Sequence, residues 1–170
     1  MNLDILLLVL LIVQGVLGGI DTLLNHELIV RLPRHVEART ELGLHSMREA
    51  VYGILFGGLG WLAWHGAWVV LIVVLLVAQM AVDASDEFVE NRTRTLPQNE
   101  RVLHFFIVLN FGLIVAVLSI LMIDWVSQPT SLKLAGHGTL SWILSVLAVA
   151  AFAWAVRDFF AWRRLGRNTA

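Results

Sequence analysis

Apolar residues gather in five runs along this chain, centred on residues 5–20, 50–64, 67–82, 102–123 and 139–156, and polar residues crowd into alternate gaps between them. Several runs hold only about 15 apolar residues, whereas a helix crossing a hydrocarbon core of about 30 Å needs roughly 20. The shortfall predicts five antiparallel membrane helices, four of which continue past their apolar runs into polar flanks on one side. Turn signals place the boundaries. Pro33 ends the first helix or opens the second, and His65 and Gly66 make a short hairpin between the second and third. Pro97 suits the first turn of the fourth helix, where its missing N–H costs nothing. The stretch from Asp124 to Gly138, with Pro129 and two glycines, reads as the longest loop. Without a repeat or a linker, residues 1–170 read as one transmembrane domain.

Composition sharpens the class. With 58% hydrophobic and 15% charged residues among 170, the chain is too apolar for an ordinary soluble domain. The absence of cysteine removes disulfides, iron–sulfur clusters, covalent c-type haem and thiolate zinc sites. Any metal would therefore take oxygen and imidazole ligands. A net charge of -1 says little about partners, and nothing points to nucleic acid.

The distribution of charge says more. Arg31, Arg34, Arg39 and Arg48 lie between the first two runs, Arg92, Arg94 and Arg101 between the third and fourth, and Arg157, Arg163, Arg164 and Arg167 after the fifth. Five antiparallel spans put all of these on one side and leave Lys133 opposite. The positive-inside rule makes that side cytoplasmic, with the N terminus outside and the C terminus inside. Trp61, Trp64, Trp68, Trp125 and Trp142 fall near the opposite ends, where amphipathic rings favour the interface. Asp4 in place of a basic leader marks the first segment as a retained helix.

The arginine-rich side also collects acids and histidines: Asp21, His26, Glu27, Glu41, His45, Glu49, Asp83, Asp86, Glu87, Glu90, Glu100 and His104. Ionisable groups beside a bilayer are expensive and mark a site by default. On the second helix Glu41, His45, Arg48, Glu49 and Tyr52 form one polar stripe, and on the third Asp83, Glu87 and Glu90 do the same. The fourth carries Glu100 and His104 one turn apart, and the first carries Asp21, Asn25, His26 and Glu27. At 1.5 Å per residue these groups reach overlapping depths. Mixed imidazole and carboxylate ligation suits iron, manganese or zinc. The expected metal ligands are His26, Glu41, His45, Glu49, Asp83, Glu87, Glu100 and His104, with Tyr52 and Glu90 in catalytic roles.

The pairs Glu41/His45 and Glu100/His104 resemble the Glu–His pairs of the four-helix di-iron carboxylate proteins, the ferritin-like bundles and alternative oxidases. Those proteins space the pair at i, i+3, whereas both pairs here stand at i, i+4. The resemblance implies two iron ions, with zinc or manganese as alternatives. It also implies an oxidoreductase acting on a quinone or lipid-like substrate, with membrane lipid and a cytoplasmic redox partner for company. The strings LHSMREAVYGILF (44–56) and RTLPQNERVLHFF (94–106) resemble an uncharacterised bacterial integral-membrane family with LHxxREAxYG and LPxxERVLH motifs. That resemblance implies a multi-pass protein of the bacterial inner membrane, and a homo-oligomer is compatible with both.

Other readings stay open. Arg48, Arg92, Arg94 and Arg101 could pair with the acids in a salt-bridge network. A zinc-dependent hydrolase of a membrane substrate could use the same ligands, with a spare Glu as base. A non-catalytic ion- or haem-binding module or a structural subunit would also fit. His35, His65 and His137 lie away from the cluster, and the glycines at 15, 18, 19, 57, 58 and 60 read as helix-packing positions.

Overall fold

The computed structural model of the chain describes residues 2–167 and is almost wholly helical. Helix α1 spans Leu3–Asp21, α2 Arg39–Trp61, α3 Val69–Thr93, α4 Gln98–Ser127 and α5 Thr139–Arg167. Each apolar run does continue into its polar flank. α3 extends beyond its run through Asp83, Asp86 and Glu90, and α5 extends through Arg157 and Arg164.

α1 begins at Asn2, whose side chain accepts from the backbone N–H groups of Asp4 and Ile5 and so caps the first turn. Past Asp21 the helix does not stop but widens into a π-helical segment, Thr22–Ile29. Asp21, Asn25 and His26, spaced by four and five residues, are all buried there, a spacing that the wider turn keeps on one face. The segment ends at Arg31, a non-glycine residue in the left-handed region (φ 56), just before Pro33. Two short 3₁₀ turns then lead into α2.

Among the described residues, four segments are long and apolar enough to cross a membrane: Leu3–Arg34, Gly66–Thr93, Gln98–Ser127 and Thr139–Arg167. α2 does not join them, because its first half is given over to the polar stripe and only its second half is continuously apolar. It is nevertheless held inside the bundle, packed most extensively on α5 and also on α3.

One feature departs from a purely helical expectation. The short connection after α2 and the longer one after α4 pair as an antiparallel two-stranded sheet, β1 (Leu62–His65) against β2 (Ser131–Leu134), in the register Leu62 to Leu134 and His65 to Ser131. The turn after β1 needs glycine. Gly66 has φ +59, and a Cβ there would meet Thr130 at 2.5 Å. Trp61 packs edge-on to Trp142 and Trp64 to Trp68 at this end.

The interior is divided along the bundle. The half beside the sheet is an apolar core of Leu7, Leu8 and Leu11 from α1, Leu55, Phe56 and Leu59 from α2, Ile72 and Leu76 from α3, Ile114 and Leu118 from α4, and Leu144 from α5. A polar bridge closes it: Asn110 donates to Leu10 O (3.0 Å) and to Gln14 Oε1 (2.7 Å), and Gln14 donates to the Tyr52 hydroxyl (2.8 Å). Beyond this bridge the interior is ionic, apart from a small apolar cluster of Leu32, Ala38, Leu42, Ala161 and Leu165 that packs the start of α2 and the 3₁₀ turns before it on the end of α5.

Candidate metal centre

Two sets of metal-capable side chains meet in the ionic half, each offering ligand atoms within 4.8 Å of one another. One comprises Asp21, His26, Glu100 and His104, the other His26, Glu41, His45 and Glu90. His26 belongs to both. Each set also contains both members of one Glu-x-x-x-His pair, since residues four apart lie one above the other on a helix. The π-helical turn after α1 supplies the member that joins them.

His26 is the least satisfied group in the cluster. It is 3% exposed, its Nε2 stands 3.5 Å from Asp21 Oδ2 and 3.4 Å from Glu100 Oε1, and neither ring nitrogen makes a hydrogen bond among the described residues. A buried imidazole in that state is expensive unless something else occupies it. His104 bridges Asp21 Oδ2 (3.1 Å) and Glu90 Oε2 (3.5 Å). His45 Nε2 lies 3.1 Å from Asp86 Oδ2, and its ring stacks on that of His26. Asn25 donates to Asp21 Oδ1 at 2.7 Å and accepts from Asn99, which orients that carboxylate.

Arginines occupy the rim. Arg94, extended in the connection between α3 and α4, turns back so that Nη2 reaches Glu41 Oε1 (2.8 Å), Glu90 Oε1 (3.1 Å) and Glu100 Oε1 (2.6 Å), while Nη1 reaches Glu100 Oε2 (2.9 Å). Burial works against its charge, but hydrogen bonds to Glu100 and Glu41 outweigh that and hold its pKa above the ordinary arginine value. Arg48 pairs with Asp83 Oδ1 (2.9 Å) and Asp86 Oδ2 (2.6 Å). Of five buried carboxylates, Glu41, Glu90 and Glu100 meet the Arg94 guanidinium and Asp86 meets that of Arg48, while Asp21 faces His26 and His104. Excess negative charge of that size in a dry interior calls for protons or a further cation.

Of the expected ligands, His26, Glu41, His45, Glu100 and His104 converge, and Glu90 converges with them. Glu87 is exposed and accepts from Asn91, yet it forms a third, outer group with Glu90 and His104. Asp83 lies outside these groups and accepts from Arg48 and Gln79. Glu49 lines a neighbouring cavity, where its Oε2 is buried without a partner among the described residues. Tyr52 sits at the apolar end against Phe56 and Phe111. His35 is exposed, and His65 and His137 lie at the sheet end.

Three buried acids, Asp21, Asp86 and Asp158, stand outside the ligand set expected from the sequence. Asp21 and Asp86 stand in the cluster but off the stripes that helical phasing picks out. Asp158 of α5, buried and paired with Arg157, which also pairs with Glu27, was a lone acid in an apolar helix and was legible on that ground.

No protein-family model matches the chain, and neither curated proteins nor solved structures give a match. The site's chemistry therefore has to be argued from its own geometry. Imidazole nitrogen and carboxylate oxygen together fit a first-row ion, and the unpartnered His26 nitrogens fit a ligand role.

Proposed function

We propose that the chain is a multi-pass membrane metalloprotein that holds two first-row metal ions, iron ahead of manganese or zinc, and acts as an oxidoreductase on a hydrophobic substrate. The observation that carries this reading is the pair of ligand sets sharing His26, whose ring nitrogens are buried and unbonded. Glu41/His45 and Glu100/His104 enter separate sets, as a two-metal arrangement requires, in analogy with di-iron carboxylate bundles rather than membership among them. Two such ions, when bound, supply electron transfer and Lewis acidity at the inner end of the bundle. The chain's own residues fix the ligands: Asn25 orients Asp21, and Arg94 clamps Glu41 and Glu100. The clustering of arginines supports a cytoplasmic position for this end, and the reading includes a bacterial inner-membrane location with α2 as a fifth span.

A structural reading competes on one observation, the Arg94 guanidinium set among three of the same carboxylates. Elemental analysis of the purified full chain decides between them. About two transition-metal ions per chain are expected for a di-metal site. Protein that stays metal-free after reconstitution with iron, manganese and zinc is a salt-bridged structural bundle.

A further inference from the structure

A cavity of ≈ 200 Å³ lies beside the metal-capable groups, bounded by α1 and its π-helical extension, α2 and α5, with Ile107 of α4 also in its wall. Its polar end is formed by His26, His45, Asp21 and Glu49, and its opposite end by Phe56 and Leu147. It exists because the facing walls are small: Gly15, Gly18 and Gly19 on α1, Ala150 and Ala151 on α5. A Cβ added at Gly18 or Gly19 would meet nothing within 4 Å. Gly19, Leu23 and Ala150 at its margin are exposed, beside Ile20 and Leu24, which are also exposed and apolar. The opening therefore faces the lipid side of the bundle rather than either aqueous end.

Besides His26, whose ring nitrogens are assigned to metal, two side chains in its wall carry buried polar atoms with no partner among the described residues: Glu49 at Oε2 and Trp154 at Nε1. Such atoms in one wall point to an occupant that both accepts a hydrogen bond, from the indole N–H, and exchanges one with a carboxyl group. The charges in the wall exclude an anionic head. Asp21 and Glu49 are acidic, Arg48 is already engaged by Asp83 and Asp86, His45 is engaged by Asp86, and His26 stands between Asp21 and Glu100, so neither a phosphate nor a fatty-acid carboxylate finds a free cation. An engineered apolar cavity of about 150 Å³ accepts benzene, so this one has room for a single substituted ring. Phe56 and the Trp154 indole offer that ring aromatic neighbours.

Resting on the reading of the polar cluster as a redox metal centre, we propose that this cavity binds the substrate, and that the substrate is a quinol: a hydroxylated aromatic ring that enters from the lipid between α1 and α5 with its apolar tail left in the bilayer. One hydroxyl lies between Trp154 Nε1 and Glu49 Oε2, and the ring lies toward His26.

The test uses the full chain in lipid nanodiscs and a decyl-substituted benzoquinol kept reduced under argon, with binding read by equilibrium dialysis and metal content read on the same samples. Gly18→Leu puts a bulky side chain into the cavity from a position whose Cβ meets nothing within 4 Å, and is expected to weaken quinol binding at least about tenfold. Trp154→Phe keeps the ring and removes one donor, and is expected to weaken it roughly 2- to 10-fold. Both variants keep the wild-type metal content. Equal affinity in wild type and Gly18→Leu overturns the proposal, as does tighter binding of oleate or hexadecanol than of the quinol. Metal-loaded wild type that binds no quinol defeats the cavity assignment alone, whereas metal-free protein that binds it defeats the metal reading alone.

Discussion

His26 and His45 stack face to face, their ring centroids 4.3 Å apart and their planes 13° from parallel. The stack joins a π-helical turn at the end of α1 to the second turn of α2, and it sets the edge of one imidazole toward Glu100 and the other toward Asp86. Two neighbouring ligand sets follow from this one contact. His26 is common to both, whereas His45 and His104 each belong to one.

That sharing predicts unequal losses. His45→Ala and His104→Ala should each remove about one ion of a two-ion site, whereas His26→Ala should remove both. Mass-spectrometric metal analysis of the purified variants reads the difference. Wild-type metal content in all three would exclude these histidines as ligands.

Arg94 contacts Glu41, Glu90 and Glu100 and is only 16% exposed. Arg94→Gln leaves those buried acids without their cation, and removing one partner of a buried ion pair costs about 3 kcal/mol or more. Thermal unfolding of the metal-free variant should register that loss, and added iron or manganese should recover much of it. The sign with pH is fixed by the raised arginine pKa. A folded value above the unfolded one gives a contribution that is complete below the unfolded value and fades only as pH rises through the folded value, in strong alkali. A sweep from about pH 5 to about pH 10 should therefore leave the difference attributable to Arg94's own charge in place.

The helix count, the polar extensions and the separation of apolar and ionic halves were legible from hydrophobic periodicity, which reports what each helix buries. The clustering of Glu41, His45, Glu100 and His104 was legible because residues four apart share a face. Asp21 and His26 were harder: their joint burial depends on a π-helical turn, and no α-helical phasing predicts it. The β1–β2 pairing was hidden for a different reason. It joins two loops far apart in sequence, and four-residue strands carry almost no pattern of their own. Arg94's three carboxylate contacts likewise depend on the backbone turning back at the end of α3.

Close packing of α2 on α5 supports the stripe that bears Glu41 and His45. A Cβ at Gly53 would come within 2.9 Å of the Phe152 ring, whereas one at Gly57 would rest at 3.8 Å from Ala148. Gly53→Val should cost roughly 1–3 kcal/mol through overpacking. Gly57→Ala should be neutral or mildly stabilising, since Gly is the poorer helix former. Denaturant titration in mixed micelles distinguishes the two, and equal stability of both variants would mean that this face packs differently.

The orientation and the status of α2 as a span can be tested together, because the chain contains no cysteine of its own. Glu37 is exposed in the connection between α1 and α2, and Lys133 is exposed on β2, at the opposite end of the bundle. Lys133→Cys should react with a membrane-impermeant maleimide on intact cells, and Glu37→Cys only after permeabilisation, since the arginines gather on the Glu37 side. The reverse pattern would invert the orientation. Labelling of both in intact cells would place the two ends of α2 on the same side, and the ionic cluster would then belong to an interfacial helix rather than to a span.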